Sequence, residues 1–151
     1  MSKLVPPHGG GELRPLLVPL ETRDAELIRA GTLTSVPMTS REVSDILMFA
    51  LGAYTPLDGF MTEANWRGTC SNMTLTDGTF WPIPVTLSAS EELCNQLELG
   101  QEVALMEAET GQIMAVMTLT EIYEPDKALE CTSVYKTTDK EHPGVASVMR
   151  H

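Results

Sequence analysis

The apolar residues of this 151-residue chain fall in short runs that never settle into a regular alternation of strand, helix and strand. Parallel α/β architectures are built on that alternation, so its absence removes them and leaves a layout of short strands interspersed with short helices. The expected fold class is therefore α+β, with a small, partly closed mixed β-barrel and short peripheral helices. A mass of 16.5 kDa is the size of one domain. With 42% hydrophobic residues, the chain can bury a core without a disulfide or a metal to staple it.

Local signals place the elements. Residues 5–11, V-P-P-H-G-G-G, read as an extended, irregular leading segment. A short helix is expected over residues 24–30, stopped by Gly31. The clearest helix starts at Thr39, where T-S-R-E is a capping box; Val43, Ile46, Leu47, Ala50 and Leu51 fall on one face, and Gly52 ends it. Asp77-Gly78 marks a turn, and residues 81–87 read as a strand that Pro82 and Pro84 confine to an edge or a bulge. A second capping box, Ser88 to Glu91, opens a helix through Leu97 that Gly100 terminates. Residues 102–107 and 112–123 form a hairpin around Glu109-Thr110-Gly111. Beyond Pro125 the pattern is helical to about Val134. A polar connection, residues 137–141, leads to a further helix opened by Pro143, on which Val145, Val148 and Met149 share a face in need of a partner.

Charge narrows the function classes. Ten Lys and Arg against 21 Asp and Glu leave a net charge of -11, a field that repels nucleic-acid backbones and anionic lipid surfaces. The cations are scattered singly and the acidic residues dispersed, as on a solvated surface. Cys70, Cys94 and Cys131 are far apart, with no C-x-x-C pair, so neither a zinc site nor a disulfide framework is written; a reducing cytoplasm is the expected compartment. No apolar run reaches the roughly 20 residues of a membrane span, and no secretory leader is read at the amino terminus.

The chemical motifs are weak when tested one by one. His8-Gly9-Gly10-Gly11 matches the oxyanion loop of esterases, but no G-x-S-x-G elbow supplies a nucleophile. The glycines match neither phosphate-loop pattern. His8, His142 and His151 lack metal-ligand spacing, and the nine methionines, Met48, Met61, Met106, Met114 and Met117 among them, sit mostly in apolar runs where packing explains them. In Y-T-P-L-D-G-F-M, residues 54–61, a turn with Pro56 and Asp58-Gly59 as the reversal presents Phe60 and Met61 for packing.

Taken together, P-P-H-G-G, Y-T-P-L-D-G-F-M, W-P-I-P-V-T-L, A-V-M-T-L-T-E-I-Y-E-P-D-K and V-Y-K-T-T-D-K-E-H-P-G-V resemble, in order and spacing, the ATP sulfurylase (sulfate adenylyltransferase) family over nearly the whole chain. Tyr54 stands where that family commonly has Phe, and Lys136 where it often has Gly. The resemblance implies an amino-terminal PUA-like domain over residues 1–141, with residues 142–151 beginning the connection to a larger catalytic domain. That second domain carries the family's Q-x-R-N and H-x-x-H signatures, neither of which occurs here. It also implies ATP, with magnesium, and sulfate as substrates of the full-length enzyme, a homo-oligomeric assembly, and a role for this chain as an accessory domain inactive by itself. No residue carries over as catalytic, cofactor-binding or metal-binding. PUA-like folds elsewhere bind RNA, an analogy that the charge opposes.

Overall fold

The computed structural model describes residues 4–150, which cluster into two compact units. The first comprises the chain up to Phe60 together with Ala89–Thr120; the second comprises Met61–Ser88 and the chain from Glu121 onward.

The first unit contains α1 (Arg23–Ala30), β1 (Thr34–Met38), α2 (Ser40–Leu51), a single turn of helix α3 (Glu91–Cys94), β2 (Glu102–Glu107) and β3 (Ile113–Thr118). β1 runs parallel to β2, and β2 pairs antiparallel with β3 through the expected hairpin, whose register shifts between Leu105 and Met106. The sheet is small and mixed, as expected. It is also open, in the order β1-β2-β3, so closure into a barrel is not among the features of the described residues. Its central strand is the most deeply buried, with Val103, Ala104 and Leu105 at the core beside Val36, Met38, Phe49 and Leu57. β1 was not legible in T-S-V-P-M because Pro37 interrupts a strand pattern; an edge strand accommodates the missing N–H.

α2 begins where its capping box places it. Thr39 Oγ1 accepts from the Glu42 N–H, and Glu42 Oε2 accepts from the Thr39 N–H at 2.8 Å. Gly52 ends the helix with φ 75°, a left-handed conformation that glycine adopts without a Cβ clash. The face it buries differs in part from expectation: Glu42, Asp45 and Phe49 point inward, and of the expected stripe Val43, Ile46 and Ala50 are half-buried while Leu47 and Leu51 are exposed.

The second unit contains α4 (Glu63–Asn72), α5 (Lys127–Glu130), a π-helical turn over Cys131–Tyr135, and α6 (Pro143–Arg150). Its core gathers Met61, Trp66, Cys70, Leu75, Val85, Cys131 and Val145. The expected strand over residues 81–87 does not form. Pro82 and Pro84 lack the N–H that a ladder requires, and the backbone of Val85 instead meets Met61, accepting its N–H at 2.9 Å and donating to its sulfur at 3.4 Å. The second capping box also shifts by two residues: Ser90, not Ser88, caps α3 by accepting from Leu93 N–H, and the α-helix ends at Cys94 rather than Leu97. α4 carries no strong apolar period to announce it; a Thr62 cap and the burial of Trp66, Thr69 and Cys70 hold it.

Candidate functional site

Two groups of side chains gather the residues singled out by sequence, one in each unit. In the first, the C-terminal end of α2 and the turn after it anchor the leading segment. The Arg14 N–H donates to Thr55 Oγ1 at 3.0 Å, and the Leu16 N–H donates to the Phe49 carbonyl at 3.1 Å. A Cβ on Gly52 would lie 2.9 Å from the Pro15 nitrogen, so only glycine lets the segment approach this closely. Tyr54 donates to Asp45 Oδ1 at 2.7 Å, while Asp45 Oδ2 makes no hydrogen bond and lies 3.5 Å from Arg41 Nη1. Burial, and then the Asp45 carboxylate, push the Tyr54 hydroxyl up to about 12. These ionisable groups fix the turn.

The loop over residues 54–61 packs as expected. Phe60 meets the Phe49 ring edge-on at 5.5 Å, and Met61 is buried. The reversal itself falls earlier than Asp58-Gly59: the Leu57 N–H closes on the Tyr54 carbonyl at 2.7 Å, across a cis Thr55-Pro56 bond, and Asp58 is exposed. The H-G-G-G glycines serve a turn, with Gly9 and Gly10 at positive φ and the Gly10 N–H spent on the Pro7 carbonyl.

In the second unit, Trp66 is fully buried and donates its indole N–H to Glu130 Oε2 at 2.7 Å, while Tyr123 donates to the Met61 carbonyl at 2.9 Å. Burial raises the Cys70 thiol to about 12, with Glu130 adding to the effect, and burial likewise raises Cys131. Thiols held protonated are poor nucleophiles. Lys136 ends the π-helical turn at φ 59°, so the position where the family often has glycine is indeed left-handed. His142 caps α6: its Nδ1 accepts from the Gly144 N–H at 3.2 Å, which assigns the neutral ring's proton to Nε2, and its carbonyl accepts from Ala146. The Tyr135 ring lies 5.2 Å from the imidazole and directly over Gly144. α6 packs against this turn and α5, burying Val145 completely and Val148 and Met149 by half, so part of the stripe expected to need a partner finds one in its own chain.

Among the described residues no three His, Cys, Asp or Glu side chains are grouped to hold a metal ion. His8 is exposed on the leading segment, and His151 lies outside the described residues. Of the methionines, Met61 is buried and Met48, Met106, Met114 and Met117 are half-buried. No helix of the described residues is long and apolar enough to cross a membrane.

Comparison with known proteins identifies the family. A family model described as a PUA-like domain matches residues 5–151. The chain is 54% identical over 149 residues to a sulfate adenylyltransferase of Thiobacillus denitrificans, covering 99% of this chain and 36% of the relative. It is 52% identical to that of Syntrophobacter fumaroxidans, covering 99% and 37%. Among solved structures it is similar to a hexameric APS kinase from Thiobacillus denitrificans, with a TM-score of 0.70 and 34% identity over 82% of this chain and 24% of that one. The chain thus spans little more than a third of the length of the relatives it matches. It belongs to the PUA-like domain family and corresponds to the amino-terminal region of sulfate adenylyltransferases.

Proposed function

We propose that this chain is the non-catalytic amino-terminal domain of a cytoplasmic sulfate adenylyltransferase, whose full-length form joins ATP, with magnesium, and sulfate into adenylyl sulfate and pyrophosphate, or runs the reverse reaction. The observation that carries this reading is the 54% identity running the whole chain yet reaching only 36% of the relative. The chemistry supports it. Attack on a phosphoryl group needs converging cations and oriented N–H donors. Here Arg29 is engaged with Glu26 and Glu102, Arg41 with Glu42 and Asp45, and Arg67 with Glu63.

In this reading residues 1–141 form the accessory domain and residues 142–151 begin the connection to the catalytic region, with Val145 as its anchor. No residue of the chain is assigned a catalytic, cofactor-binding or metal-binding role. The full enzyme assembles as a homo-oligomer, in keeping with the hexameric state named for the similar solved structure. The test is sulfate-dependent exchange of pyrophosphate into ATP. The full-length polypeptide supports it and residues 1–151 do not; turnover by residues 1–151 alone would overturn the accessory role.

A further inference from the structure

α6 is only eight residues long, and a helix this short is marginal unless its apolar side is buried and its ends are satisfied. Burial comes from Val145, which is fully enclosed. The cap comes from His142. Its Nδ1 accepts the Gly144 N–H at 3.2 Å and its carbonyl accepts the Ala146 N–H at 2.9 Å, while Pro143 brings no N–H that needs a partner.

The usual capping side chains are hydroxyls, amides and carboxylates, which accept a hydrogen bond throughout the neutral pH range. An imidazole accepts only while it is neutral, and imidazoles change charge between about pH 5 and 8. On protonation Nδ1 becomes a donor facing another donor, and a positive charge arrives at the positive end of the helix dipole. His142 is exposed, so protons reach it from solvent. The Tyr135 ring, 5.2 Å away and tilted by 42°, attracts an imidazolium, but it does not restore the hydrogen bond that the Gly144 N–H has lost. Because that ring also lies over the half-buried Gly144, water replaces the missing acceptor poorly.

The neighbouring charges do not offset this loss. The charged and titratable groups around the ring are Asp139, Lys140 and Glu141 on its own turn, Cys131, Tyr135 and Lys136 on the π-helical turn, Lys127 and Glu130 on α5, and Arg150 at the far end of α6. Cations and carboxylates are nearly matched among them. Asp139 Oδ1 already accepts from the Glu141 N–H and Glu130 Oε2 from the Trp66 indole, and among the described residues no carboxylate forms an ion pair with the imidazole.

We infer that His142 is a proton-operated latch: neutral, it holds the first turn of α6 closed, and protonated, it lets that turn open. The latch rests on the geometry of this chain alone. What it governs rests on the accessory-domain reading, in which α6 begins the connection to the catalytic region.

Amide hydrogen exchange of the 151-residue chain, followed by NMR at pH 7.5 and pH 5.5, tests it. Protection factors, each taken against the unfolded rate at the same pH, are expected to fall by about fivefold in α6 on acidification, the effect of losing a typical N-cap, while those of α2, capped by Thr39, stay unchanged. The Gly144 amide resonance is expected to shift with the same midpoint as the His142 ring. His142→Asn supplies a cap that accepts at both pH values and is expected to keep α6 protected at both. His151 follows α6, outside the described residues, and remains in this variant, so a fall that persists in His142→Asn overturns the assignment to His142. Equal protection of α6 at the two pH values in the parent chain overturns the latch, as does an α6 already unprotected at pH 7.5. If the Asn variant fails to fold, the two midpoints decide: coincidence supports the latch and separation overturns it. None of these readouts requires turnover, so failure of the latch and failure of the sulfate adenylyltransferase reading remain distinct.

Discussion

Gly144→Ala probes the packing of α6 on the π-helical turn. A Cβ at this position would lie 2.4 Å from Tyr135 Cε1, 2.6 Å from Cζ and 2.9 Å from Cδ1. Carbon atoms in contact prefer about 3.5–4.0 Å, so the ring must retreat by about 1 Å or swing off His142. Overpacking of this kind costs about 1–3 kcal/mol. Alanine's helix propensity returns up to about 1 kcal/mol. The net expectation is a loss of up to about 2 kcal/mol, which for a chain of this length lowers Tm by up to roughly 8 °C. Tyr135→Leu removes the ring, and in that background Gly144→Ala is expected to be neutral or to stabilise by up to about 1 kcal/mol. Both tryptophans, Trp66 and Trp81, lie in the unit containing α6, so thermal unfolding followed by tryptophan fluorescence reports the right part of the molecule. An equal Tm change for Gly144→Ala in the two backgrounds would refute the close-packing argument.

Other perturbations separate local from tertiary effects. Lys136→Gly relieves a non-glycine residue at φ 59° and should raise the Tm of the same fluorescence transition by an amount equivalent to about 1 kcal/mol. Thr39→Ala removes the N-cap of α2 and a hydroxyl 2.8 Å from the buried Glu42 carboxylate, so chemical denaturation should show a loss of about 1–2 kcal/mol. The Cys70 thiol, raised to about 12 by burial, favours the fold only while protonated. That contribution is complete below the unfolded value near 9 and is lost as pH rises toward 12. Melting temperatures at pH 8 and pH 10 should therefore fall less in Cys70→Ala than in the parent chain.

Several signals confined to a few neighbouring residues survived folding, while two moved by a few positions: the cap read at Ser88 formed at Ser90, and the reversal read at Asp58-Gly59 closed between Tyr54 and Leu57. Thr39 and Glu42 satisfy each other's backbone donors across three residues, Gly31 and Gly52 stop their helices, and Asp77-Gly78 turns the chain, with the Thr79 N–H on Asp77 Oδ1 and Gly78 at φ 87°. The hairpin of β2 and β3 formed as well, although its second strand ends at Thr118 rather than Tyr123. The family, too, was legible, because the order and spacing of several segments are a property of the chain rather than of its packing.

What lies inside was decided by tertiary structure. Periodicity identified the apolar stripe of α2, yet Glu42 and Asp45 are buried because the capping hydroxyl of Thr39 and Tyr54 on the following turn offset their desolvation. The proline-containing run after Trp81 had the composition of a strand, but a strand requires a ladder partner, and Val85 found the backbone and sulfur of Met61 instead. Conversely, Pro37 sits in a real strand because β1 is an edge and β2 supplies the pairing. Sequence sets what each short segment can donate, accept and turn. Which face it buries depends on the partners that the fold brings to it, some only a few residues away, as Thr39 and Tyr54 are, and others tens of residues away, as Val85 is from Met61.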